Sequence, residues 1–348
     1  MLSAGVALAI PRFTAKVEQK CNLCHISPNG GGMRNCFGGQ FFAQTEMAAH
    51  SVPFEEIEQF NPMLSDNISL GADLRTLYHF SDSDSGRQST LFQMEGNFYL
   101  NAQFNKRVSA LLNKGLYSGF EAFGLAYILP LQGYVKIGKF QPGYGWYFDD
   151  HTSFVREKMI WPPNSYDTGI EFGIMPHALS ASLGFFNGTT SMLDEGKGKA
   201  VAARVEYRRH LGNLGLGIGG SYYLNSRVSG DFNMYGPFYY VNAGKFIYTG
   251  EVDWLKNKLG TTDSISFATT HELAYQLRQG IWLRAQYDFF DRNTDHKTGS
   301  ITRYGFGFQY FPIGFVEIAP LFRYYDESYP GDKHNRYFVY DGQIHFFF

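Results

Sequence analysis

The chain has 348 residues, a formal net charge of −2 and no basic run, which excludes a nucleic-acid binder. Aromatic residues make up 18% of it, with 33 Phe, 24 Tyr and 39 Gly, yet the mean hydropathy is −0.26. That excludes a soluble helical core and, with no apolar run of membrane-helix length, a helical membrane protein; it suits a barrel with an apolar, ring-girdled outside and a wet inside.

Residues 1–9, MLSAGVALA, end in Ala7-Leu8-Ala9. They read as the remnant of a signal peptide with a small-residue cleavage site, a frayed terminus being the alternative. Residues 10–65 lack alternation and hold all three cysteines, Cys21, Cys24 and Cys36, so cysteine serves one local device here. Cys21-Asn22-Leu23-Cys24-His25 is a C-x-x-C-H. This spacing lets two thiols add to the two vinyl groups of a haem while the adjacent imidazole reaches the iron. Zinc would want a second ligand pair, and only Cys36 is nearby. A redox C-x-x-C would open a helix after a strand, and no such unit is visible. A Cys21–Cys24 disulfide is the remaining alternative in an exported chain. The motif therefore predicts one haem c on Cys21 and Cys24, with His25 as axial ligand. Pro28 and Gly30-Gly31-Gly32 would let backbone pass close to a flat cofactor, and Phe37, Phe41 and Phe42 would cover it or form an ordinary mini-core. Candidates for the distal ligand are Met33, Met47, His50 and His151; an open position is also compatible. Cys36 is expected to be a buried free thiol, and a short helix is expected near Phe54–Phe60.

From residue 66 to 348 the period is two. Phe338, Tyr340, Ile344, Phe346 and Phe348 share one face, opposite Asp341, Gln343 and His345. Phe92, Met94, Phe98 and Leu100 oppose Glu95, Asn97 and Asn101. Tyr304, Phe306 and Phe308 oppose Arg303 and Gln309. Arg204, Glu206 and Arg284 are placed inward. Short turns at Pro130–Gly133, Met175–Ala178, Leu211–Leu214, Asn242–Gly244, Gln279–Gly280 and Pro312–Gly314 alternate with polar loops at 81–88, 141–165, 188–198, 226–237, 257–263, 291–299 and 328–335. The prediction is all-β: a transmembrane antiparallel barrel of about 16 strands, its short turns and N-terminal domain on the periplasmic side. In the 141–165 loop, Asp149, Asp150 and His151 are a candidate site for an external divalent cation, the plainer reading being a solvated loop closed by local salt bridges.

A C-x-x-C-H segment with this Pro28, Gly30–Gly32, Phe37 and Phe41 pattern, followed by such a barrel and ending in Phe348, resembles the fused monohaem cytochrome–porins of the bacterial outer membrane, among them the iron-oxidase type. The terminal Phe348 resembles the signature that barrel-assembly machinery reads. The resemblance implies electron exchange between extracellular iron or another redox partner and a periplasmic c-type cytochrome, and an iron:cytochrome c oxidoreductase activity. Porins are often trimers, which adds a trimer as a possible assembly. A single haem below a bilayer whose core is about 30 Å thick cannot reach an outside donor, so the domain is expected to plug the lumen. The rivals are a diffusion porin whose haem domain gates it or docks a periplasmic partner, and a redox sensor.

Overall fold

The computed structural model describes residues 11–83, 86–116, 119–159, 165–191, 196, 198–227, 230–259, 262–296, 298–331 and 333–348. The expected signal remnant at 1–9 lies outside them. The N-terminal part consists of α1 (Pro11–Val17), a 3-10 turn at Cys21–Leu23, a wide π-type segment at Phe37–Met47 and a 3-10 turn at Phe54–Gln59, where a short helix was expected. Strands follow: β1 (Met63–Ser65), β2 (Ile68–Ser83), β3 (Gly86–Asn105), β4 (Val108–Gly115), β5 (Phe120–Leu129) and β6 (Gly133–Phe140). After α2 (Phe154–Glu157) come β7 (Asp167–Ile174), β8 (Leu179–Phe186), β9 (Ala200–Leu211), β10 (Leu214–Arg227) and β11 (Gly230–Ala243). The last six are β12 (Phe246–Leu259), β13 (Thr262–Arg278), β14 (Ile281–Asp291), β15 (Ser300–Tyr310), β16 (Val316–Tyr329) and β17 (Lys333–Phe347).

Strands β2 to β17 each pair antiparallel with their chain neighbours, and β17 pairs with β2. Sixteen strands therefore close a ring, with β1 as a short hairpin arm on β2. Closure gives each of the sixteen ring strands a partner on both sides and leaves none of them as a sheet edge. The alternation read from β17 holds: Phe338, Tyr340, Ile344 and Phe346 are 48%, 40%, 47% and 52% exposed, while Asp341 and His345 are buried. Tyr304, Phe306 and Phe308 are likewise exposed, with Arg303 and Gln309 buried. An outward belt of large apolar side chains suits hydrocarbon and would be a liability in water.

Two expectations are corrected. In β3, Phe98 and Leu100 point outward as predicted, but Phe92 and Met94 line the interior. Arg75 pairs with Glu95 and Thr76 with Gln93, so Met94 is an unpaired bulge residue. One extra residue moves every following side chain to the other face. The segments 81–88, 226–237, 257–263 and 328–335 are mostly strand, not long loops. Their polar residues pair across the hairpins, as Arg87 does with Asp82 (3.0 Å).

The 141–165 connection folds back into the ring; its residues 160–164 lie outside the described set. Arg156 donates to Glu251 of β12 (2.8 Å), which also accepts from the Trp146 backbone N–H (2.6 Å). Tyr144 donates to Asp253 (2.8 Å), and Arg204 of β9 donates to the Gly145 carbonyl (3.1 Å). Gly145 has φ +48, and a Cβ there would lie 1.9 Å from the Glu251 carboxylate, so only glycine fits this approach.

Residues of the N-terminal part meet inward-facing groups around the ring. Arg12 donates to Glu272 of β13 (2.7 Å) and to Gln309 of β15; Asn29 donates to Glu171 of β7 (2.8 Å). Lys136 of β6 donates to Ser27 (3.1 Å), and Arg34 is 3.7 Å from Asp73 of β2. The short turns hold it from the same end, with Ala49 N–H on the Phe311 carbonyl (2.8 Å) and Lys20 on that of Met175. Glu251→Ala is expected to leave the Arg156 guanidinium buried without its carboxylate, at a cost of about 3–5 kcal/mol. Urea unfolding measures the loss, and trypsin should then cut at Arg156 in a barrel that still migrates as folded.

Candidate functional site

The Cys21 carbonyl accepts from Cys24 N–H (3.2 Å) and from His25 N–H (3.0 Å). Cys21 to His25 is thus one helical turn, which puts positions i, i+3 and i+4 on one side. Asn35 clamps that turn, donating through Nδ2 to the carbonyls of Asn22 (3.1 Å) and Leu23 (3.0 Å). Its own N–H reaches the Cys24 carbonyl (2.9 Å). A Cβ at Gly38 would lie 2.2 Å from that same carbonyl oxygen, so glycine is what lets the Phe37–Met47 segment close on the turn. Cys21 is buried, Cys24 partly so, and both thiols are free. The disulfide alternative is not formed.

Cys24 and His25 line a crevice with Phe13, Phe42, Met47 and Arg34. It encloses about 40 Å³ of interior space, and about 510 Å³ counted out to its open margins. The donor set fits a c-type haem. Burial, then the charge of Arg34, pushes the His25 imidazole down to about 4, leaving it in the neutral form that ligates metals. Its Nδ1 is buried and has no hydrogen bond of ordinary geometry, although the backbone of Gly31 and Gly32 lies beside the ring. Backbone support at that nitrogen is how metal-ligating imidazoles are usually oriented. Burial pushes the Cys24 thiol up to about 12, so it stays protonated and is a poor zinc ligand as it stands. The interior is narrow for a porphyrin; Phe42 and Met47 are the side chains that would part for one.

Of the four distal candidates, Met47 alone lines this crevice. Met33 is buried against Gly71 and lines a separate pocket at the wall. His50 is exposed, with Nδ1 2.9 Å from the Pro312 carbonyl. His151 belongs to the long loop, 3.8 Å from Glu95. Gly30–Gly32 pack toward Tyr99 and Glu121 of the wall, not across the crevice. Phe42 lines the crevice, whereas Phe37 stacks on Phe41 (5.4 Å) and is partly exposed. Cys36 is exposed, not buried as expected, because it starts the Phe37–Met47 segment on its open side.

The cation site expected at Asp149, Asp150 and His151 is not formed. Asp149 pairs with Arg75 (3.0 Å), and Asp150 with Arg323 (2.8 Å) and Arg303 (3.3 Å). Among the described residues no cluster of three or more His, Cys, Asp or Glu is placed to hold a metal ion. The plainer reading, a solvated loop closed by local salt bridges, does not hold either: Asp149 and His151 are buried, and the ion pairs are made with strands across the ring. Phe13, Asn35 and Gly38 escaped the sequence reading; the one visible signal was an Asn and a Gly flanking Cys36.

No protein-family model and no curated protein matches the sequence. Solved structures do match. The anion-selective porin from Comamonas acidovorans is 13% identical with TM-score 0.61, the match covering 81% of this chain and 99% of that one. OmpT of Vibrio cholerae is 10% identical with TM-score 0.57, covering 83% and 100%. Pseudomonas putida OprB is 9% identical with TM-score 0.56, covering 88% and 100%. At such identity the likeness shows the fold: this is the sixteen-stranded barrel of outer-membrane porins.

Burial pushes the His151 imidazole down to about 3, with Arg75 adding to the effect. Its ordinary value is about 6.5, so between the two the unfolded chain binds a proton that the folded one refuses. Stability is therefore full above about pH 6.5 and falls as pH drops toward 3. Urea midpoints are expected to decline from pH 7 to pH 4, and His151→Asn should flatten part of that decline.

Proposed function

We propose that the chain is a redox conduit of the bacterial outer membrane, in which Cys21, Cys24 and His25 would hold one haem c inside a membrane-spanning barrel, with Met47, which lines the same crevice, as the further candidate ligand. The observation that carries the reading is that residues on either side of the C-x-x-C-H turn pair with inward-facing carboxylates of the strands, Arg34 with Asp73 and Arg12 with Glu272. When bound, the haem supplies a one-electron carrier between ferrous and ferric iron. The chain's own residues do the rest. Asn35 and Gly38 fix the turn, Gly31 and Gly32 back the imidazole, and Phe13 and Phe42 exclude water from the crevice. The outward apolar belt faces lipid and insulates.

Residues 11–62 are held at the short-turn end, which in bacterial barrels is periplasmic. A periplasmic c-type cytochrome meets the crevice from there, near the exposed Phe37. Extracellular iron or another redox partner is met at the other end; with iron as donor the activity is iron:cytochrome c oxidoreductase. A trimer is the proposed assembly, since the Vibrio protein has a trimer form.

The likeness to porins favours one rival, a diffusion porin gated by its N-terminal segment. The packed interior, where the long loop and the segment meet at Gly143 and Asn29, speaks against free diffusion. Liposomes carrying the protein, with a reducible dye inside and Fe(II) outside, separate the two. Dye reduction without solute leakage is expected, and leakage without reduction sinks the conduit. Cys24→Ala should weaken the covalent haem signal in a reduced-minus-oxidised spectrum of the denatured protein. Met47→Ala should lower the midpoint potential, because loss of thioether ligation destabilises the ferrous state.

A further inference from the structure

At the long-loop end, above the N-terminal segment, the barrel holds a chamber of about 320 Å³, within the range of small-molecule sites. One wall is apolar although it faces inward: Leu77 of β2, Phe92 of β3, Leu321 of β16 and Val339 of β17. Lumens that pass water and polar solutes are lined with polar groups, so such a wall calls for an occupant with apolar faces. Tyr325 and Tyr337 add a stacked pair to the lining, with centroids 4.8 Å apart and planes 6° from parallel. Flat aromatic molecules stack on such surfaces. The facing side is charged but neutralised. Asp149 and Asp150 are taken by Arg75, Arg303 and Arg323, and His79 is held by Asp341 (2.7 Å). These pairs leave little net charge to attract a bare ion, and they leave Gln343 as a hydrogen-bonding group on the lining.

We propose that this chamber binds a flat aromatic molecule of little net charge that carries hydrogen-bonding oxygens. The site goes beyond the conduit reading and does not require the haem. The apolar wall selects the ring system, Tyr325 and Tyr337 offer it a stacking face, and the neutralised arginine–carboxylate side penalises strong charge of either sign.

Riboflavin is the probe, with equilibrium dialysis against the purified full-length barrel in detergent. Saturable binding to the wild type is expected, and Leu321→Arg should weaken it by about tenfold or more, because a charged side chain would occupy the apolar wall. Val339→Lys, from the neighbouring strand, should do the same. Heat-dependent gel migration reports whether each variant is folded. Cys24→Ala should bind riboflavin as the wild type does. Absence of saturable binding, or binding that neither wall variant weakens, overturns the proposal. Binding lost in Cys24→Ala assigns the probe to the crevice and also overturns it, while leaving the conduit reading intact.

Discussion

Charge inside a closed ring has to be answered inside the ring. Arg75, Arg204, Arg284, Arg303 and Arg323 all point inward and are nearly solvent-free, where an unpaired ion costs several kcal/mol. Each is met by a carboxylate from its own strand, a neighbouring strand or the long loop: Arg303 by Asp288 at 2.8 Å, Arg204 by Glu206 at 3.0 Å, Arg75 by Glu95 at 3.0 Å. The loop is drawn inward because Asp149 and Asp150 complete these pairs, and Arg156 finds Glu251 from the other direction. The N-terminal segment joins by the same rule, through Arg12 and Arg34. The sheet decides the shape, and the pairing of buried charge decides what fills it.

The barrel was legible because alternation is local. Phe338 to Phe346 announce an outward face whatever the neighbouring strands are, and parity of short turns set the end at which the N-terminal segment enters. The bulge at Met94 was not legible. Alternation within β3 continues through it, and only the pairing with Arg75 and Thr76 reveals the slip. Hairpin length was overestimated at four tips for a related reason. Polar residues such as Arg87 read as loop, yet a cross-strand partner keeps them in the ladder.

The C-x-x-C-H turn was legible for the same reason as the strands, since five consecutive residues contain it. Its surroundings were not. That Met47, and not Met33, His50 or His151, lines the crevice depends on tertiary packing, and Phe13 enters from a helix, Pro11–Val17, that no motif or alternation marks in the sequence. The cation site failed on distance along the chain. Asp149 and Asp150 look unpaired beside their neighbours, but their arginines lie 74, 153 and 173 residues away.

The bonds from Arg12 to Glu272 and Gln309 span 260 and 297 residues. The start of the chain is therefore held by strands that are among the last to be made. Such long closures are slow to form, and local structure must wait for them. Until β13 and β15 have joined the ring, the Arg12 guanidinium has neither Glu272 nor Gln309 to meet, so the segment that carries the Cys21–His25 turn takes its final place only as the barrel closes.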